Sequence, residues 1–198
     1  MLVSLIYSIL KWIIDYEEAV VLKVRVTKGK LKIISVLSLL FLFSACTASD
    51  ATLMQASREL PFPVLVPSNI PEEWEIAEIV YEDELLVISY LTENDHQVDL
   101  VQDRNIQGLN VAFLRDYMLT GTVNEQLYME GIEIKEISTF LGELTFFQQP
   151  VPTVQYTFVK KQDLFGSLER VPVYQVIGKE ASFEDIKIVV DSLNVYSK

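Results

Sequence analysis

The sequence predicts an α+β domain, a curved antiparallel sheet of about seven or eight strands with a C-terminal helix and one middle helix packed on it. Three observations predict it. Short apolar runs recur from Trp74 to Ile177, divided by charged or glycine-containing turns, as in a meander. Ser182-Phe-Glu-Asp185 then opens a segment whose apolar residues repeat at helical spacing. Four prolines between positions 61 and 71 exclude a helix or a central strand there, leaving an edge strand or an extended arm.

The chain begins with an apolar run, Met1 to Ile14, followed by the acidic Asp15-Tyr-Glu-Glu18. A second apolar run follows at Ile33 to Phe43. Two such runs before one cysteine depart from the usual build of a targeting segment. Residues 1–27 are therefore expected to be an extension upstream of the true translation start, at Leu22, Val24 or Val26, or else an extra membrane segment.

Residues 28–45 read as a secretory signal peptide. Lys28, Lys30 and Lys32 form a basic cap that resists translocation. Ile33 to Phe43 has the length of a signal core and is short for a bilayer-spanning helix. Ser44 and Ala45 are small enough to admit a peptidase before Cys46, the single cysteine of the chain. This stretch resembles the lipobox of bacterial lipoproteins. The resemblance implies cleavage between Ala45 and Cys46, diacylglycerol on the Cys46 thiol, and a protein lipid-anchored at the extracytoplasmic face of the cell membrane.

Charge changes sign at the same place. Residues 1–45 carry six Lys/Arg and three Asp/Glu, whereas residues 46–198 carry ten and twenty-five, a net of −15. So acidic a domain is a poor partner for nucleic acid or for anionic lipid, and a covalent anchor supplies what electrostatics cannot. Each buried CH₂ of an acyl chain contributes about 0.8 kcal/mol. One cysteine permits no disulfide, so the domain is held by its core alone.

Residues 46–60 are polar and small and read as a tether, with a root-mean-square span of about 20 Å as a coil and a loose helical turn over Thr52 to Glu59. Residues 61–198 read as a single extracytoplasmic domain. Trp74 to Tyr81 forms a strand carrying a bulge, Glu82-Asp83-Glu84 a charged turn, and Leu85 to Leu91 and Gln97 to Gln102 the next strands. Asn110 caps a helix over Val111, Phe113, Leu114, Tyr117 and Met118, stopped near Gly121. Gln126 to Met129 and Ile132 to Ile137 flank a turn at Glu130-Gly131. Glu143 to Gln148, Val154 to Lys160 and Val171 to Ile177 are strands, and Lys161 to Glu169 is a long loop with Phe165 exposed. Ser182 caps the last helix, which buries Phe183, Ile186, Val189, Val190 and Leu193.

Pro67-Ser-Asn-Ile-Pro71-Glu-Glu-Trp74-Glu-Ile76, the following meander and the closing Ser182-Phe-Glu-Asp-Ile186 with Asp191-Ser-Leu193 resemble an uncharacterised extracytoplasmic domain. That domain occurs in Gram-positive lipoproteins and on the outer side of membrane-bound anti-sigma factors, and is related to the lipoprotein-carrier fold. The resemblance spans about Pro61 to Leu193. It implies fold and location and brings no catalytic residue.

Catalytic chemistry finds little support in the residue types. His96, the one histidine, sits in a polar turn and reads as solvated. Glu72-Glu73-Trp74-Glu75 and Glu82-Asp83-Glu84 lack the spacing of a calcium loop and read as solvated faces. The protein is therefore expected to be no enzyme and to use no metal or cofactor. The suggestive feature is aromatic. Phe140, Phe146, Phe147, Tyr156, Phe158 and Phe165 crowd the second half of the chain, mostly as core. Phe146 and Phe147 are neighbours in a strand and point to opposite faces, so one sheet face can offer an apolar groove or a docking patch. Phe146, Phe147 and Phe165 are the candidate binding residues. The expected role is a non-enzymatic accessory lipoprotein docking an envelope or membrane protein; the alternative is a carrier sheltering an acyl chain or apolar peptide.

Overall fold

The apolar periods of the chain resolve, in a computed structural model that describes residues 45–122, 131–166 and 170–197, into two antiparallel sheets and three helices among those residues. The order is α1 (Ala45–Glu59), β1 (Leu65–Pro67), β2 (Glu75–Glu82), β3 (Leu85–Leu91), β4 (Gln97–Asp103) and α2 (Val111–Thr120). There follow β5 (Ile132–Ile137), β6 (Phe140–Phe147), β7 (Thr153–Lys160), a 3₁₀ turn (Lys161–Phe165), β8 (Tyr174–Lys179), α3 (Phe183–Asp191) and β9 (Leu193–Val195). The seven-stranded sheet has the order β2-β3-β4-β8-β7-β6-β5, and β1 pairs with β9 apart from it. Two meanders, β2-β3-β4 and β5-β6-β7-β8, thus lie side by side, joined where β8 pairs with β4.

Local chemistry accounts for the joints. The β2–β3 turn is Asp83-Glu84, both with positive φ, which suits the twist of a two-residue hairpin. The expected bulge lies between Ile76 and Glu78. Asn110 caps α2 by accepting from the Phe113 N–H at 3.0 Å, and Gly121 ends it in the left-handed conformation. At α3 the Ser182 hydroxyl accepts from the Asp185 N–H, and the Asp185 carboxylate accepts from the Ser182 N–H at 2.7 Å.

Alternation along the strands divides the apolar residues between two faces. On one face, Leu86, Ile88, Leu100, Tyr156, Phe158 and Val176 meet Ile186, Val189 and Val190 of α3 and Leu65 of β1. Phe158 lies at its centre, stacked on Tyr156 at 5.0 Å and edge-on to Phe140 at 5.1 Å. Gly142, opposite Phe158 in the register, leaves the room this row needs: a Cβ there would lie 2.2 Å from the Thr157 carbonyl oxygen. The other face carries a smaller cluster in which Leu114 of α2 and Leu164 of the 3₁₀ turn cover Leu141, Val159 and Val171.

Three expectations need correction. Residues 46–60 are no coil tether: the helical turn expected over Thr52 to Glu59 is part of α1, which reaches back to Ala45, and Leu53, Ala56 and, just past the helix, Leu60 are buried in the main core. Their spacing of three and four puts them on one helical face, a pattern that the polar composition of the segment obscures. Strand β6 begins at Phe140, because β5 turns directly into it through Ser138-Thr139, with Ser138 at φ 54° and no glycine to mark the turn. Strand β9 was unforeseen; its three residues pair with the proline-rich arm after Ser192 ends α3. The expected strand Gln126 to Met129, and its turn at Glu130, lie outside the described residues.

Candidate functional site

The residues with binding potential lie at the two ends of the seven-stranded sheet. One end is marked by the pairs Leu91 with Gln97, Gln97 with Lys179, and Phe147 with Thr153. The opposite end holds the pairs Leu85 with Asp103, Phe158 with Tyr174, and Phe140 with Lys160.

Phe146 and Phe147 close β6 at the first end. Phe146 shares the face of Phe140 and Leu144, and Phe147 the face of Leu141, as strand alternation requires. Both remain half-exposed, at 49% and 45%, and Val151 in the following turn adds a third exposed apolar side chain. Phe165 is exposed too, at 54%, but it ends the 3₁₀ turn that follows Lys160. It therefore belongs to the other end of β7, a strand rising about 23 Å. The three candidate phenylalanines form a pair and an outlier. Phe140, Tyr156 and Phe158 are core.

Between the ends, the face that carries α2 has a polar centre that the sequence reading missed. The buried Asp99 carboxylate accepts from Gln97 Nε2 at 2.8 and 2.9 Å and lies 3.5 Å from Lys179 Nζ. Thr157 Oγ1 accepts from Gln175 Nε2 at 2.9 Å and from Gln155 Nε2 at 3.3 Å. Polar residues at alternate positions (Gln97, Asp99; Gln155, Thr157) were the available signal. On the same face, partial burial pushes the Glu143 carboxyl above its usual range, opposed by a hydrogen bond from the Asn110 backbone. These groups are mutually satisfied, and they read as a supporting network.

The second end is organised by the arm. Burial pushes the Tyr174 hydroxyl well above the usual phenol range, so it stays a donor, and it bonds the Pro63 carbonyl at 2.9 Å. Phe62 meets the Tyr174 ring edge-on at 5.8 Å. Tyr156 is held protonated by burial in the same way and donates to the Lys135 carbonyl at 2.9 Å. Arg115 Nε donates to the Leu164 carbonyl, tying α2 to the 3₁₀ turn. Arg104, Lys160 and Arg170 stand around this end and were also missed; their signal was three cations at strand ends of an acidic domain.

Ala45 and Cys46 open α1, and residues 28–44 lie outside the described residues. Among the described residues no helix is long and apolar enough to cross a membrane, and no three His, Cys, Asp or Glu side chains are grouped to hold a metal ion. No family model, no curated protein and no solved structure matches the chain.

Proposed function

We propose that this is a lipid-anchored accessory protein of the extracytoplasmic membrane face, which docks an envelope or membrane protein and carries out no reaction of its own. The observation that carries the reading is the exposed apolar end formed by Phe146, Phe147 and Val151, in a domain whose other large aromatics are mostly inside. A half-exposed aromatic pair is expensive to leave in water, and aromatic anchors are the side chains that dominate protein interfaces. The Lys-capped apolar run ending at Ser44-Ala45-Cys46 supports the anchor, as does the resemblance to extracytoplasmic lipoprotein domains. Cys46 stands seven positions before Leu53, the first buried apolar side chain among the described residues.

The carrier alternative lacks such an observation. A sheltering groove is expected on the sheet face that here is filled by α3, Leu65 and the inward face of α1.

Three experiments test the reading. Clickable palmitate is expected to label the full chain and to lose that label in Cys46→Ser; label on the serine variant refutes the anchor. A photo-crosslinking residue at Phe147 is expected to give one discrete adduct in cells, absent when the probe stands at the exposed Glu72. Equal adducts from both positions, or none from Phe147, refute docking through this end. Lipid co-purifying in native mass spectrometry would move the reading to the carrier.

A further inference from the structure

At the end of the sheet away from Phe146 and Phe147, the arm, the β4–α2 connection, the end of β7 and the approach to β8 enclose a cleft of about 380 Å³. That is within the range of small-ligand sites, about 300–1,000 Å³. Its wall is apolar at Phe62, Val171 and Pro172. Its charged lining is Arg104, Lys160 and Arg170, with Asp103 and Asp163.

The cations are out of keeping with the rest of the domain. Residues 46–198 hold ten Lys/Arg against twenty-five Asp/Glu, yet three of those ten line one cleft. In so acidic a surface a cation readily finds a carboxylate. Among the described residues Lys160 and Arg170 have none within ion-pair distance, and Arg104 reaches Glu84 at only 3.9 Å between exposed side chains. The Asp103 carboxylate is already engaged, accepting from the Asn105 N–H at 2.6 Å. The wall is also fixed in advance, because the Tyr174 hydroxyl holds Pro63 and the Tyr174 ring braces Phe62. A rigid apolar wall lowers the local dielectric and strengthens a charge-assisted bond made beside it.

We propose that this cleft binds a small anionic ligand, a carboxylate or phosphate on an apolar body, with Arg104, Lys160 and Arg170 taking the anion and Phe62, Val171 and Pro172 the body. Guanidinium forks match both anions bidentately, and lysine adds a point charge. The proposal goes beyond the docking role, which uses the other end of the sheet.

Calorimetric titration of the full chain in uncharged detergent tests it with phenyl phosphate, 3-phenylpropionate, inorganic phosphate and benzyl alcohol, each corrected for micelles alone. At least one aromatic anion is expected to bind saturably with Kd below about 10 mM, and its tighter member assigns the anion. Benzyl alcohol and inorganic phosphate, each lacking half of the ligand, are expected to bind about tenfold more weakly or worse. Lys160→Gln with Arg170→Gln is expected to raise Kd about tenfold or more. Absence of binding by both aromatic anions, equal binding by the alcohol or by free phosphate, or an unchanged Kd in a double variant that melts like wild type overturns the proposal. The wild-type comparison decides the matter even where the variant fails to fold. Phe146→Ser with Phe147→Ser is expected to leave the titration unchanged, so loss of the docking reading and loss of this one are separable.

Discussion

Gln102 is fully buried in the main core, and its side-chain amide serves as a strand partner for Leu65. The β1–β9 ladder uses alternate residues: Tyr196 N–H donates to the Val64 carbonyl at 2.8 Å, and Ser68 N–H to the Ser192 carbonyl at 2.9 Å. Leu65 falls between these bonds, so its polar groups point away from β9. Gln102 Oε1 accepts from the Leu65 N–H at 2.8 Å, and Gln102 Nε2 donates to the Leu65 carbonyl at 2.7 Å. With no exposure at either residue, water cannot substitute. Gln102→Leu keeps the volume and strands one donor and one acceptor, each costing about 1–3 kcal/mol. Burial of the new apolar side chain offsets part, leaving a net loss of about 2–4 kcal/mol. Urea denaturation of the compact unit Ala48–Lys198, followed by tryptophan fluorescence, is expected to show a midpoint lower by about 1–2 M. Gln102→Glu sharpens the test. When protonated, its carboxyl is an isostere that both donates and accepts; when ionised, it faces the Leu65 carbonyl as an anion. Burial raises the folded-state pKa of such a group above its unfolded value, so its contribution is present at low pH and lost as pH rises through the folded pKa. Gln102→Glu should therefore approach wild type near pH 4 and fall away by pH 7, while the deficit of Gln102→Leu stays the same. A loss under about 0.5 kcal/mol for Gln102→Leu, or equal deficits for Gln102→Glu at both pH values, refutes the reasoning.

Gly142→Ala places a methyl 2.2 Å from the Thr157 carbonyl oxygen and 2.6 Å from Phe158 Cβ, so backbone or ring must move. A loss of at least about 3 kcal/mol is expected in the same urea assay, and near-neutrality would show that β6 and β7 are less tightly apposed. Glu143→Gln removes a carboxylate whose ionisation burial disfavours, while its amide oxygen still accepts from Asn110. Because the folded-state pKa is raised, the wild type loses stability as pH rises through that value. The variant should melt higher than wild type at pH 7 and equal to it at pH 4, whereas a lower melting temperature at pH 7 would mean that the Asn110 bond outweighs desolvation.

What was legible in the sequence follows from where single residues decide. Asn110 and Gly121 bound α2, and Ser182 with Asp185 opens α3, because capping is a local exchange of hydrogen bonds that four neighbouring residues determine. The meander β2-β3-β4 was legible because Asp83-Glu84 and Asn94-Asp95 interrupt strict alternation. The arm was half legible: Pro61, Pro63 and Pro67 forced it to be extended, but its pairing with Leu193–Val195 depends on Gln102, 37 positions beyond Leu65. No local pattern carries that information. Helix α1 was legible only as a loose turn over Thr52 to Glu59, since Leu53 and Ala56, with Leu60 just beyond the helix, outweigh a mostly polar segment only once a sheet is there to receive them.

The same distinction divides the candidate sites. Phe146 and Phe147 could be singled out because adjacency in a strand requires opposite faces, and only burial then distinguishes them from Phe140 and Phe158. Arg104, Lys160 and Arg170 lie 56 and 10 positions apart, just after β4, at the end of β7 and on the approach to β8, and only the fold brings them to one cleft. They converge because Tyr174 fixes the arm across the end of the sheet, leaving a cleft in which the three cations outnumber its two carboxylates, Asp103 and Asp163. In an acidic protein the arrangement of the few cations carries more information than the abundance of anions. A surplus carboxylate is satisfied by water anywhere on the surface, whereas three cations beside an apolar wall, with only Asp103 and Asp163 among them, leave positive charge that an anion can join. That excess of positive charge is the physical reason to look for a ligand at this end, as the exposed Phe146 and Phe147 are the reason to look for a protein partner at the other.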